Sequence, residues 1–479
     1  MGTKLKSAKI LNIVMSTLNS SQLIKVDKMF RSRISYSWDY NWSNKKTEEL
    51  LHPLMTEGEK LTILGLSSLH PNGYFREKAI KKLSQMNTGF EIPFLLIRIN
   101  DWVKEVRNIS KENLTKYLKQ EYAASFVASL PLAFRLKDCS RSEHDDIFNA
   151  IVSMLCNEEC SSELINGLNS TDSKVRLSCY KIILQERTMN NKSIINYLIK
   201  EPYPYIRLFV LRIIQKTITI DEFNDILHFL MKDKLAQIRI HALETLYKFK
   251  PSESIDLLEK SLFDESQAVR ELARYLLSKY KKYDFSSIYR NAAYKKEGIY
   301  SSICGLGETG DINDSKIVAE FVSCDSHKIA RASLYALAKL DFEGYKEMFV
   351  FTLSDSRPSI SKAAKRILQG QINSGDEKSI YGIFKESNYE HVKINTCILL
   401  CSLSKWISIK YILEFCNHEN QTVSTIGLYA MEGWKLKFNR SFTTPTKNQI
   451  NEIRKSILSF GKVIKDSDKE FIEFSIRDF

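Results

Sequence analysis

The chain has 479 residues, 43% of them hydrophobic and 27% charged, a balance that excludes a disordered polyelectrolyte and implies a chain that folds throughout. Its 17 glycines and 9 prolines are few for that length, which disfavours turn-rich β folds and favours helices joined by short polar loops. The formal charge of +13 attracts polyanions such as nucleic acid or an anionic membrane surface, but lysine is abundant along the whole chain, so part of the excess is compositional.

Residues 1–60 read as an N-terminal helical cap. The apolar stretch there, Ile10 to Met15, is too short for a secretory core, and Lys6 stands where a myristoylation signal needs Ser or Thr. No run of about twenty apolar residues occurs for a membrane span. With nine scattered cysteines and no paired framework, these features lead to the expectation of a cytoplasmic protein with reduced thiols. Near the end of the cap, Tyr36, Trp38, Tyr40 and Trp42 alternate in SYSWDYNW and are expected to cover an open first layer, as terminal repeats need.

From 61 to 434 one segment recurs: an acidic or polar residue, four variable residues, Val or Ile, often Arg, then small and Leu positions at helical spacing. Its clearest copies are DWVKEVRNISKENL (Asp101 to Leu114), DKLAQIRIHALETL (Asp233 to Leu246) and DESQAVRELARYLL (Asp264 to Leu277). Taking the Val/Ile position as an anchor gives Phe75, Val106, Val175, Ile206, Ile238, Val269, Ile329, Ile360, Val392 and Val423, mostly 31 or 32 residues apart. Residues 119–167 hold an irregular unit, and a degraded anchor near Gly298 fills the gap before Ile329. Four residues past the anchor the side chain is mostly small, and eight past it usually Leu or Ile: Ala79/Leu83, Ser110/Leu114, Cys179/Ile183, Ala242/Leu246, Ala273/Leu277, Ser333/Leu337 and Ala364/Leu368. Offsets of 0, 4 and 8 share one helix face, and an apolar segment before each copy supplies a second helix, so each repeat is a helical hairpin. Residues 435–479 read as a C-terminal helical cap.

The Asp-x4-[Val/Ile]-Arg-x2-Ala-x3-Leu strings, with His70-Pro-Asn-Gly-Tyr-Phe-Arg-Glu-Lys-Ala and the Gly305 to Asp311 loop, resemble the HEAT-repeat superfamily, particularly the short HEAT-like repeats of phycobilisome-lyase type. The resemblance covers about 61–434 and implies an all-α fold, a right-handed α-α superhelix of about 12 hairpins. Such motifs specify fold far more strongly than function.

Two sets of polar residues stand out. Asp101, Asp233, Asp264 and Asp355 precede second helices, where a carboxylate can cap the N-terminus, while Arg107, Arg176, Arg207, Arg239 and Arg270 can bridge to neighbouring turns; these are expected to form a structural ladder. Six residues past the anchor come Lys81, Lys181, Arg212, Tyr275, Tyr335, Arg366 and Tyr429, and ten past it Lys116, Lys216, Lys248, Lys279 and Lys339. These two offsets share a face distinct from the core face and are expected to line the concave side. Lysine interleaved with tyrosine suits phosphate contacts and base stacking, although lysines near helix C-termini also offset the macrodipole.

No catalytic set emerges. P-loop, GxSxG and HExxH patterns are absent, and GLGETG follows a helix rather than a strand, so it reads as a turn. Cys397, Cys401, Cys416 and His418 lack the close spacing of a structural zinc site, and no metal or cofactor is expected. Resemblance to the iron-carrying deoxyhypusine hydroxylases would demand repeated His-Glu pairs, and only His418-Glu419 occurs. The main expectation is a non-catalytic scaffold or adaptor that binds a protein on its curved surface. The alternative is a nucleic-acid-binding protein, one form of which is a DNA-repair glycosylase of HEAT-like type using Trp102 beside Asp101, or Trp406.

Overall fold

The computed structural model describes residues 2–32, 42–460 and 464–477, and among them every regular element is helical. Tyr36, Trp38 and Tyr40 lie outside the described residues. Trp42 lies within them, its ring 4.5 Å from that of His70 and 4.8 Å from that of Phe75. The chain divides into two compact units, Met1–Thr245 and Leu246–Phe479.

The first unit comprises α1 (Gly2–Ser16), α2 (Ser20–Ser32), α3 (Glu57–Ser67), α4 (Gly73–Leu83), α5 (Ile92–Arg98), α6 (Lys104–Lys116), α7 (Ala123–Arg135), α8 (Asp145–Cys156), α9 (Glu158–Asn166), α10 (Ser173–Glu186), α11 (Asn191–Lys200), α12 (Pro204–Ile214) and α13 (Ile220–Met231). Helix α14 (Ala236–Phe249) runs across the division. The second unit comprises α15 (Ile255–Ser261), α16 (Gln267–Leu277), α17 (Phe285–Tyr294), α18 (Ile299–Thr309), α19 (Ser315–Ala319), α20 (His327–Leu340), α21 (Lys346–Thr352), α22 (Pro358–Leu368), α23 (Glu377–Glu386), α24 (Glu390–Cys401), α25 (Lys405–Cys416), α26 (Gln421–Lys437), α27 (Lys447–Phe460) and α28 (Asp466–Ser475).

Local chemistry starts these helices where they start. Thr56 with Glu59 and Thr219 with Glu222 form reciprocal capping boxes, and Asn72, Asp172, Asn190 and Asn420 each accept a first-turn amide, which satisfies donors that would otherwise lack a partner. Pro204 and Pro358 open α12 and α22, where a missing N–H costs nothing.

Consecutive helices pair as hairpins, and each unit stacks them in a HEAT-like manner. In the second unit α17/α18, α19/α20, α21/α22, α23/α24 and α25/α26 are such pairs, and α18, α20, α22, α24 and α26 pack one upon the next. In the first unit α4 packs on α6 and α10 on α12. The repeating face explains the stacking. Ala79, Ser110, Cys179, Ala242, Ala273, Ser333 and Ala364 are all fully buried, and the Leu or Ile four residues beyond each is buried. A small side chain lets the neighbouring helix approach, and the large one fills the layer beyond it. In α26 the small position is Gly427, where an added Cβ would lie 2.6 Å from the Cys416 nitrogen, so α26 touches the backbone of α25.

Gly298 precedes α18 in a left-handed conformation at φ 49° and keeps the register of an anchor, with Ser302 and Leu306, four and eight residues on, fully buried. One anchor differs from the sequence reading. Ile329 is half-buried, while Ala330 and Leu334 are fully buried, so α20 is rolled slightly about its axis. In the irregular region α7 is apolar around most of its circumference and is correspondingly central, packing on α5, α9 and α10, while α8 packs on α7 and α9. At the chain ends α1 packs on α3, and Ile450, Ile453, Ile457, Ile472 and Ile476 of the last helices join Trp406 and Trp434 in one buried cluster.

Candidate interaction surface

The cations of the repeat helices fall into two classes, and the buried class is arginine. At the residue after six of the anchors stands an arginine, one of whose guanidinium nitrogens donates to the carbonyl six residues back. Arg76 reaches His70, Arg107 reaches Asp101, Arg176 reaches Ser170, Arg207 reaches Glu201, Arg239 reaches Asp233 and Arg270 reaches Asp264, at 2.6 to 2.8 Å. The other edge of the fork turns to an acid of the next hairpin. Arg76 meets Asp101 through two bonds of 3.0 and 2.6 Å, Arg176 meets Glu201 at 2.9 and 2.8 Å, Arg207 meets Asp233 at 2.7 Å, and Arg270 meets Glu308. Planar, bidentate pairing of this kind is what a guanidinium does and an ammonium cannot.

The acids also organise the loop ahead of the second helix, though not as helix caps. Each accepts the amide two residues on: Val103 to Asp101, Tyr203 to Glu201, Leu235 to Asp233, Ser266 to Asp264 and Arg357 to Asp355, at 2.7 to 2.9 Å. This is a side-chain turn in the loop; the helices begin after it, with Val103, Tyr203, Ser266 and Arg357 in the cap position. Burial alone would raise the Asp101 carboxyl, but hydrogen bonding from Arg76 and the charges of Arg98 and Arg76 hold it below the ordinary range. The Glu201 hydrogen bond raises Arg176, and in Arg270 the pull of Glu308 outweighs a burial that opposes it.

Sequence reasoning missed Glu201, Glu308 and Arg357. Glu201 lies 25 residues after Arg176, the same interval as Arg76 to Asp101, so the interval could have found it. Glu308 has no such signal; it sits in α18 itself and gathers both Arg270 and Arg274. Where Ala330 replaces the ladder arginine, Arg357 grips Asp355 within its own loop and reaches back to the Cys324 carbonyl at 2.7 Å.

The exposed class is mostly lysine, and the stripe residues differ in how occupied they are. In the first unit Lys81 is exposed but paired to Glu77 at 2.7 Å, Lys181 is half-buried with its ammonium 5.0 Å over Phe134, Arg212 donates to His241 at 3.1 Å, and Lys216 is exposed. Lys116 donates to Asn113. In the second unit Lys248 and Lys339 are exposed, Lys279 covers the Tyr275 ring at 4.3 Å, Tyr335 is half-buried, and Arg366 and Tyr429 are exposed. The offsets recur, but the stripe is interrupted: α18 places Cys304 and Glu308 where the neighbouring helices carry Tyr and Lys.

Its strongest segment is α20 and α22. Neither HKIARASLYALAKL nor PSISKAAKRIL contains an acidic residue. Of their cations Lys328 alone forms an ion pair among the described residues, to Glu265 at 2.6 Å. Burial, then the charges of Arg366 and Lys362, lower the Lys365 ammonium.

No known family model matches the chain, and no curated protein sequence matches it. Among solved structures it is similar to importin beta, with 10% identity over 98% of this chain and 82% of that one at a TM-score of 0.41. It is also similar to Kap95p, whose binding induces the switch loops of RanGDP to adopt the GTP-bound conformation: 11% identity, 96% and 66% coverage, TM-score 0.38. A structure of microtubule polymerases with TOG-domain arrays aligns with 12% identity at a TM-score of 0.18. Likenesses this loose leave the fold resting on the chain's own hairpins and ladder.

The remaining chemical candidates are placed as follows. The Asp101 carboxylate is taken up by Arg76 and Arg98, Trp102 is exposed with the Arg141 guanidinium 3.8 Å over its ring, and Trp406 is buried with its indole N–H on the Thr443 carbonyl. Neither Asp101 nor Trp406 is thereby open to a substrate. Burial pushes the Cys416 thiol up to about 12. Among the described residues there is no group of three or more metal-ligating side chains and no helix long and apolar enough to cross a membrane.

Proposed function

We propose that the chain is a non-catalytic HEAT-like scaffold or adaptor that holds a protein partner on the outward face of its second helices. The observation that carries this reading is the partition of its cations: the arginine ladder is spent on stacking, whereas Arg331, Lys339, Lys362 and Arg366 of α20 and α22 point outward with no carboxylate in either helix. A fold gains nothing from concentrating unpaired like charge, so the concentration suits an external acidic surface. On this reading α1–α2 cap the hairpins of the first unit and α27–α28 those of the second, in line with caps over 1–60 and 435–479.

The test is co-purification from cells that make the chain. A partner recovered at fixed stoichiometry with wild type, and lost with R331E/R366E while helicity and Tm hold, supports the proposal; an unchanged set of proteins counts against it. The +13 charge and the exposed tyrosines and lysines favour a second reading, a nucleic-acid-binding module. That reading requires binding to mixed-sequence DNA that falls steeply with salt and disappears on charge reversal at Lys181, Arg212 and Arg366.

A further inference from the structure

Beyond the basic pair α20 and α22, the same surface changes character. Positions two and six past the anchor are Arg331 and Tyr335 on α20 and Lys362 and Arg366 on α22, but Ile394 and Ile398 on α24 and, at the sixth, Tyr429 on α26. Each helix packs on the next, and the residues four past the anchor, Ser333, Ala364, Thr396 and Gly427, are all buried, so equal offsets look out from the same side. Ile394 and Ile398 are half-buried, whereas Leu428 is 48% and Tyr429 77% exposed. The nearest acids on these later helices are engaged: Glu390 accepts from Asn420 and Glu432 pairs with Lys435. A cationic half therefore adjoins an apolar half along one continuous row of helices.

Resting on the scaffold reading, we infer that this row binds a partner segment in which an acidic cluster is followed or preceded by bulky apolar residues, the carboxylates on Arg331, Lys339, Lys362 and Arg366 and the apolar side chains on Ile394, Ile398, Leu428 and Tyr429. Three interhelical steps of roughly 8–10 Å each are spanned by about eight extended residues. A polypeptide can change from charged to apolar along that length. A nucleic-acid strand carries a phosphate at every step and would meet isoleucines, not cations, at these two offsets of α24. Arginine at both 331 and 366 suits carboxylates, which its fork receives in two parallel bonds.

The experiment is fluorescence anisotropy on the full chain with a labelled peptide, Asp-Glu-Asp-Glu-Ser-Gly-Leu-Phe-Leu. Its controls are a peptide whose acids are glutamines, one whose apolar residues are serines, and oligothymidylate. The expected result is that the full peptide binds tightest, that K362E/R366E weakens it roughly tenfold as two exposed pairs are lost and reversed, and that I398S/Y429A weakens it independently, with Tm unchanged in both variants. Equal binding of the serine-substituted peptide, tighter binding of oligothymidylate, or indifference to both variants overturns the inference. If the chain ignores the peptide yet still recovers a stoichiometric partner through residues elsewhere, this inference falls while the scaffold reading stands.

Discussion

Glu201 is the test case for the ladder. Its carboxylate is buried, receives two bonds from Arg176 and accepts the Tyr203 amide. Glu201→Gln keeps the shape and an amide oxygen for Tyr203, but leaves Arg176 with no counter-charge. Breaking a buried pair from one side costs about 3–5 kcal/mol, because the surviving charge remains desolvated. Replacing both partners, as R176M/E201L, removes that charge; it forfeits the turn bond, worth about 1 kcal/mol, and the bonds from Arg176 to the Ser170 and Thr171 carbonyls, which lie near solvent. The double variant is therefore expected to be more stable than E201Q by about 1–2 kcal/mol. Because stacked repeats need not unfold in one step, the readout is urea unfolding combined with hydrogen exchange of α10 to α12. E201Q within about 0.5 kcal/mol of wild type, the usual surface range, would refute the argument that these pairs hold adjacent hairpins together.

The remaining expectations concern other joints of the fold. Gly427→Ala puts a methyl against the Cys416 nitrogen and the Phe415 carbonyl carbon, which is backbone and cannot rotate away, so it should cost about 1–3 kcal/mol and lower Tm in calorimetry. Trp434→Ala empties part of the terminal cluster shared with Ile450 and Ile472, at about 3–5 kcal/mol, and should speed hydrogen exchange in α27 and α28 while leaving α10 unchanged. The Asp101 carboxyl lies below its ordinary value of 3.8 when folded; its contribution is present in full above that value and is lost as pH falls through the lower folded one. Acid unfolding of wild type should accordingly lose a component below pH 3.8 that Asp101→Asn has already lost at neutral pH.

Much of the fold is legible in the sequence because stacking demands one invariant face. The small-then-large alternation from Ala79/Leu83 to Ala364/Leu368 marks residues with no freedom to change polarity, and all of them are buried. The ladder is legible only where it uses Asp. Glu201 and Glu308 serve the same end from a longer side chain, and Glu308 does so from within a helix, where spacing carries no hint. The roll of α20 follows from Ala330 taking the place of an arginine. The surface is less legible still. Lys81 and Arg366 look alike as letters at the same offset, yet Lys81 is paired to Glu77 and Arg366 has no acid in its helix; partners four residues away or one helix over decide which charge is left for a ligand.

The scaffold reading places a protein on the outward face of the second helices. A photo-crosslinking amino acid placed at Arg366, with Phe351 of the first helix α21 as the comparison site, tests it directly in cells. Both side chains are exposed. Arg366 should yield one discrete protein adduct whose crosslinked segment carries carboxylates, and Phe351 none; a nucleic-acid adduct at Arg366, or equal protein adducts at both sites, would contradict the claim.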